Sequence, residues 1–355
     1  MHVLVVGGTG FIGYHVVQTL LSHQHKVSLL CRANSSAEAL FPQQVNIIEG
    51  DLNLFLDLPF AQLFAGIEAV IYAAGIDERT ESIGDPYTFF YKENVTCCVN
   101  FLQQAKNFGV KKAIVLGSIF SYLDQQHPQL QLSQNHPYIR SRTAQRDHAL
   151  ALADNNFQVN ICETPFVFGA TPGSSAVAKR LINYIRIATP LLSIQGGANA
   201  ISVKSLSQAI TGMLEHVRDS GAIAVGDVNL SWVELTEMIS GLVNSKPKPI
   251  KLIQANLLTE LTHVGGYLQD LMGIKSGLDQ KHISDIIQLE AYFDTAPQKQ
   301  QLNYQGGDLL QALAETVAAT PEPAFISNMQ RSVDWFTNNT KTLVKNLDQH
   351  LHIDK

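Results

Sequence analysis

Short apolar runs of strand length, His2 to Val6, Lys26 to Leu30, Val45 to Ile48, Ala69 to Tyr72 and Lys112 to Leu116, alternate with longer helix-like segments through the first half of the chain. Each run is apolar throughout, as in strands covered on both faces, and the segments between are long enough for helical crossovers joining parallel neighbours. A further strand is predicted at Gln158 to Cys162. The rhythm predicts an α/β architecture built on a parallel sheet. Beyond Gly169 it loosens, with Pro172, Gly173, Pro190, Gly196 and Gly197 punctuating helical stretches such as Ala176 to Ile187 and Ser205 to Val217. Helices are also predicted at Trp232 to Val243, at Ala255 to Met272, and after Pro321 and Pro323, where Leu343, Leu347 and Leu351 recur at helical spacing; Lys246 to Pro249 reads as a loop. The expected domains are 1–168 with the parallel sheet, 169–320 as a smaller α/β substrate-binding part whose chain crosses back around 200–225, and a helical extension over 321–355.

With 355 residues, 45% of them hydrophobic and 16% charged, the chain can bury a sizeable core. Twenty-five Lys and Arg against 31 Asp and Glu leave a net charge of -6, so no global positive field points to nucleic acid or an anionic membrane. The longest apolar stretch, around Ala113 to Leu123, is interrupted by Gly117, Ser118 and Ser121, and no membrane span is predicted. Cys31, Cys97, Cys98 and Cys162 form no CxxC pair and have no His at metal spacing; with no apolar leader ahead of the first strand, they point to a reducing, cytoplasmic setting.

The strand at His2 to Val6 runs into Gly7-Gly8-Thr9-Gly10-Phe11-Ile12-Gly13, and a helix continues from Tyr14 without a breaker. Gly7 permits a tight turn, Gly10 lets the backbone approach a pyrophosphate, and Gly13 lets the helix pack closely on the strand, while the helix N-terminus offers free N–H groups to phosphate. Together they predict a dinucleotide site at Gly7, Thr9, Gly10, Phe11, Ile12 and Gly13, and a Rossmann-type doubly wound parallel sheet with a smaller C-terminal α/β part. An acid after the second strand would bond the adenosine ribose hydroxyls; here Leu30 is followed by Cys31 and Arg32, then Asn34, Ser35 and Ser36, a cation and hydroxyls suited to a 2′-phosphate. NADP is therefore expected ahead of NAD. Asp51 in Glu49-Gly-Asp-Leu52 is placed to bond the adenine, and Ala73-Ala74-Gly75 keeps backbone close to the cofactor.

With Asn94-Val95, Ser118, Tyr138 and Pro165-Phe-Val-Phe-Gly169 in order behind these elements, the chain resembles the extended short-chain dehydrogenase/reductase family. That group includes sugar-nucleotide epimerases and dehydratases, dihydroflavonol reductases and 3β-hydroxysteroid dehydrogenases. Ile201 to Ser205, Tyr292-Phe-Asp-Thr295 and Leu302-Asn-Tyr304 carry the resemblance to about residue 318. It implies a Ser, Tyr and Lys catalytic set, with Tyr138 as acid/base and Ser118 bonding the substrate oxygen while a nicotinamide exchanges a hydride. It further implies cofactor contacts from Leu52, Asn94, Tyr138, Pro165 and Val167, and a homodimer built on helices at about Asn94 to Phe108 and Arg142 to Asn155. From residue type alone, Asn94 reads equally as a helix N-cap.

Four residues after Tyr138 the family's Lys is replaced by Arg142. Positions four apart share a helix face, so Arg142 can still bond the nicotinamide ribose and lower the Tyr138 pKa. It keeps its proton, however, and ends any relay through this position. Glu163 stands where an Arg is usual and Ser205 where an Asp is usual. A retuned enzyme and a silent dinucleotide-binding protein are both open.

Other signals read as structure. The twelve histidines show no HExxH, so no metal is expected, and His136 reads as a loop residue. Cys97 and Cys98 read as core, and Ser118 lacks a GxSxG elbow. Arg140, Arg142, Arg146, Lys179, Arg180 and Arg186 read as solvated helix faces ahead of a ring around an anionic substrate. The leading expectation is NADPH-dependent reduction of a ketone or aldehyde on a bulky substrate. Behind it stand a sugar-nucleotide epimerase or dehydratase with tightly held NAD, and a non-catalytic NADP(H)-binding regulatory protein.

Overall fold

The computed structural model describes residues 1–33, 37–82, 84–172, 178–244, 246–271 and 275–322. Its strands, in chain order, are β1 (His2–Val6), β2 (Lys26–Cys31), β3 (Asn46–Glu49), β4 (Ala69–Tyr72), β5 (Lys112–Leu116), β6 (Gln158–Glu163), β7 (Phe166–Phe168), β8 (Leu191–Ser193), β9 (Gly197–Ser202), β10 (Gly221–Ala224), β11 (Val228–Ser231), β12 (Ile250–Leu252) and β13 (Glu290–Ala291). Seven of them form one parallel sheet in the order β10-β6-β5-β4-β1-β2-β3. The order reverses direction between β1 and β4, which opens a crevice at the carboxyl ends of those strands.

Strand residues alternate between two buried faces, which is why the strands read as continuous apolar runs. Val3, Val5, Leu29, Ile71 and Ile114 pack against Val16, Val17 and Leu20 of the helix Phe11–Ser22 and against Leu206, Ile210 and Met213 of the helix Val203–His216. Leu4, Val6, Val70, Tyr72 and Val115 face Cys98, Phe101 and Leu102 of the helix Cys97–Asn107 and Ala149 of the helix Pro137–Leu150. Each large aliphatic side chain buried this way contributes about 1.5–3 kcal/mol relative to exposure.

A second sheet has β9 at its centre, paired antiparallel with β11 and parallel with both β7 and β13; β8 and β12 form a separate parallel pair. The expected strand Ile201 to Ser205 stops at Ser202, because the Ser202 hydroxyl accepts the N–H of Ser205 at 2.9 Å and starts the next helix two residues early. The carboxylate missing at position 205 arrives from elsewhere: Asp308 accepts from the Ser202 and Ser205 hydroxyls at 2.8 and 2.7 Å. Lys112 Nζ is buried and donates to the carbonyls of Leu214 and Val217 at 3.0 and 2.6 Å, closing the C-terminus of the helix Val203–His216.

The two helices expected to build a dimer turn polar faces outward, with Asn100, Gln103 and Asn107 exposed on one and Arg140, Asp147 and His148 on the other. Among the described residues no helix is long and apolar enough to cross a membrane. The helix expected around Leu343 to Leu351, and Asn34, Ser35 and Ser36, lie outside the described residues.

Candidate active site

The chain turns at Gly7, whose φ of 82° suits glycine. Its N–H donates to Leu30 O at 3.1 Å and its carbonyl accepts the N–H of Gly10 at 3.0 Å. A Cβ on Gly13 would stand 2.3 Å from that same carbonyl, so only glycine lets the helix begin against the strand. Gly10 is exposed at the N-cap, no acidic residue occupies the first turn, and Thr9, Phe11 and Ile12 are half-buried around it. An open ring of N–H groups at a helix N-terminus, undiluted by negative charge, fits a pyrophosphate.

Further site residues follow at the carboxyl ends of successive strands. Arg32 is exposed just beyond β2. Asp51, half-buried with Leu52 after β3, accepts the N–H of Asn53 at 2.9 Å. Ala73 and Ala74 are half-buried after β4, and Gly75 follows with a φ of 154°. Asn94 lies inside a π-helical turn, Tyr91–Thr96, and is no N-cap: its Oδ1 accepts the N–H of Ile76 at 2.9 Å and would meet a Cβ on Gly75 at 3.0 Å. Asn94 thus pins the loop that follows β4. Pro165 and Val167 are buried, Val167 in the core beside Leu116 and Ile201.

The helix Pro137–Leu150 carries Tyr138 and Arg142, both buried. The Arg142 guanidinium carbon stands 5.8 Å from the Tyr138 ring centroid, and its Nη2 donates to Leu116 O, the last residue of β5, at 2.6 Å. Ser118, two residues past β5, caps the helix Ile119–Gln126, and its hydroxyl lies beside the Tyr138 phenol. Burial pushes the Tyr138 phenol above its ordinary value; the Arg142 charge and the Ser118 hydrogen bond pull it back, while Glu78 and Asp77 push it further up. Glu78 is a site group that sequence reasoning missed. Its half-buried carboxyl is held above the usual carboxylate range by desolvation, in the field of Arg142.

Several charged residues expected on solvated faces are buried. Arg146 donates to Ser121 O at 2.8 Å and pairs with Glu163 at 3.7 Å, so the charge reversal at 163 is answered within the fold beneath Ser118. Arg186 is half-buried and donates to the carbonyls of Thr320 and Pro321 at the end of the helix Leu309–Ala318. Arg140, Lys179 and Arg180 are exposed as expected. His136 is fully buried; its Nδ1 accepts the N–H of Asp279 at 3.0 Å, while Gly277 O accepts the N–H of Tyr138 at 2.9 Å. The segment around Gly277 therefore lies directly on the start of the tyrosine's helix, where a Cβ on Gly277 would stand 2.7 Å from Phe90. No group of three or more His, Cys, Asp or Glu placed to hold a metal occurs among the described residues.

Residues 3–226 match the profile of the NAD dependent epimerase/dehydratase family. The chain is similar to the UDP-glucose 4-epimerase of Klebsiella pneumoniae, 33% identical over 132 residues that cover 35% of this chain and 94% of that one. It is likewise similar to the UDP-glucose 4-epimerase of Bacillus subtilis, 31% identical over 189 residues, 48% of this chain and only 54% of that protein. In overall shape it resembles the crystal structure of gox2253, with a TM-score of 0.72, 21% identity and coverage of 89% and 97% of the two chains. It also resembles the UDP-glucose 4-epimerase of Thermotoga maritima, solved with UDP-glucose, with a TM-score of 0.62, 14% identity and coverage of 90% and 98%. With its glycine cradle on the parallel sheet and that match over most of its length, the chain belongs to the NAD dependent epimerase/dehydratase family of extended short-chain dehydrogenases/reductases.

Proposed function

We propose that this enzyme oxidises and re-reduces a hydroxyl-bearing carbon of a sugar nucleotide, with Tyr138 as acid/base. The observation that carries the reading is the buried Tyr138 phenol, with the Ser118 hydroxyl beside it and the Arg142 guanidinium facing its ring, at the carboxyl edge of the sheet beside the glycine cradle. The UDP-sugar epimerases among its relatives support the substrate class. A bound nicotinamide dinucleotide supplies the hydride acceptor and donor. The N–H groups after Gly7 hold its pyrophosphate, and Ala73 to Gly75 with Val167 wall its path. Ser118 donates to the substrate oxygen and orients it. Tyr138 as phenolate takes the hydroxyl proton as the C–H hydride leaves, and returns it when the hydride comes back; the Arg142 charge favours that phenolate against the burial that raises the phenol's pKa. Arg142 lowers the phenol's pKa electrostatically and holds its own proton throughout.

A second reading is the NADPH-dependent carbonyl reductase, which Arg32 favours: it stands exposed where a ribose-binding acid would be, with no carboxylate at Cys31 or Arg32. Native mass spectrometry of the purified protein, alone and with equal NADH and NADPH, separates the two. Retained NAD with interconversion of a UDP-sugar supports the epimerase reading. An empty site that fills with NADPH, together with reduction of a carbonyl panel, replaces it with the reductase. Dinucleotide binding without any turnover overturns both.

A further inference from the structure

Among the described residues, the Arg142 guanidinium hydrogen-bonds the protein through only one of its three nitrogens. Nη2 donates to Leu116 O, while the Nε–H is buried and meets no acceptor among the described residues. Three more atoms share that condition on the same side of the sheet: Tyr72 Oη at the end of β4, and both Oε1 and Nε2 of Gln145, one turn beyond Arg142 on its helix. Tyr72 is 0% and Gln145 1% exposed. These four make up most of the seven such buried side-chain atoms among the described residues, so they mark one place and not a general looseness of the core.

Several observations place them together. Tyr72 pairs in register with Val115, the neighbour of the Leu116 that holds Arg142. Its ring packs beneath the helix Cys97–Asn107, 6.0 Å from that of Phe101. The Cys98 thiol of that helix lies against the Gln145 side chain, and Tyr72 lies in the field of both Cys98 and Arg142. Buried donors and acceptors left unpaired by the protein are commonly met by an ordered water, which makes about three hydrogen bonds.

We infer that Tyr72, Gln145 and the Nε–H of Arg142 hold an internal water, through which Tyr72 and Gln145 act as positioning residues for the guanidinium that faces Tyr138. The water accepts from Nε–H and gives its own hydrogens to Tyr72 Oη and Gln145 Oε1. A guanidinium is planar, so two fixed nitrogens fix its plane. Anchored on Leu116 O and on the water, Arg142 can only turn Nη1 toward the cleft, where it is the guanidinium atom nearest a Cβ built on Gly75, at 3.8 Å. An ammonium at position 142 would need neither anchor, so the water site belongs to the exchange of Lys for Arg.

The functional half of this inference rests on the reading of Tyr138 given above; the water does not. Crystal structures of the wild-type protein and of Tyr72→Phe, at a resolution that places ordered water, test the site directly. The expected result is a water within hydrogen-bond distance of Arg142 Nε, Tyr72 and Gln145 that is lost or displaced in Tyr72→Phe. A dry space, or a Gln145 amide bonded straight to Arg142, overturns the proposal whether or not a substrate has been found. The positioning role is read from the pH profile of kcat/KM, whose acid limb should move up by about half to one unit in Tyr72→Phe and in Gln145→Leu, with cofactor affinity kept. A hydrated site with an unmoved profile removes that role, whereas failure of every substrate to turn over removes the reading of Tyr138 and leaves the water site to the crystal structures.

Discussion

Arg146 Nη1 lies 3.7 Å from Glu163 Oε1, and both side chains are almost fully buried. Ser121 bridges them, its hydroxyl donating to Glu163 at 3.0 Å and its carbonyl accepting from Arg146 at 2.8 Å, and the same hydroxyl lies 2.6 Å from Ser118 O. Burial raises the Glu163 pKa, and Ser121 and Arg146 restrain it. Removing one partner strands the other charge, so Arg146→Met should lower the unfolding free energy by about 3–5 kcal/mol. Adding Glu163→Gln to it should recover much of the loss. Urea unfolding of the two single variants and the double variant checks this; equal, additive losses would show that the two side chains are not coupled.

Tyr138→Phe removes a hydroxyl from a buried ring and leaves the glycine cradle untouched. Turnover should fall by about two to four orders of magnitude while dinucleotide binding persists. Calorimetric titration beside steady-state rates measures both, and turnover near the wild-type rate would dismiss the phenol as the acid/base.

Arg142→Met deletes the positive charge 5.8 Å from the phenol ring. The Tyr138 pKa should then rise, moving the acid limb of kcat/KM up by about one to three units. Arg142→Lys keeps the charge and should hold that limb near its place. If Met and Lys variants gave the same profile, charge would not be what position 142 contributes.

Burial lowers the His136 pKa to about 4, against 6.5 for the free side chain. The folded state prefers the neutral ring, so the unfolded chain binds the extra proton first as pH falls. Stability is complete above pH 6.5, declines between 6.5 and 4, and by pH 4 has lost about 3 kcal/mol on this account. His136→Asn removes the titrating ring, and its unfolding free energy should fall more gently across that window. Denaturant series at several pH values give both slopes; parallel slopes would refute the assignment.

The parallel sheet and the glycine cradle were legible because their signals are local: apolar runs, turn glycines and the spacing that follows them. Arg142 and Arg146 were misread as solvated because charge does not report exposure. Their helix is covered on several sides, with Tyr138, Arg142, Gln145, Arg146 and Ala149 all facing inward. Asn94 could not be assigned from its type, since its partner Ile76 lies 18 residues earlier across a loop. His136 and Asp308 act through contacts brought together by the fold, and Glu78 through its charge near Tyr138; no pattern within a few residues of them announces it.

Asp308 has a consequence for how the gene can vary. A chain cut just after β10 would hold all seven strands of the main sheet and the whole glycine cradle. It would still leave the Ser202 and Ser205 hydroxyls without their carboxylate, the core beneath the sheet without the buried Tyr304 ring, and Gly212 without the Leu302 backbone that presses on it. The dinucleotide half and the later segment therefore close one shared core. Recombination that swaps the substrate-facing part between relatives will succeed only where the exchanged piece brings its own equivalents of Leu302, Tyr304 and Asp308.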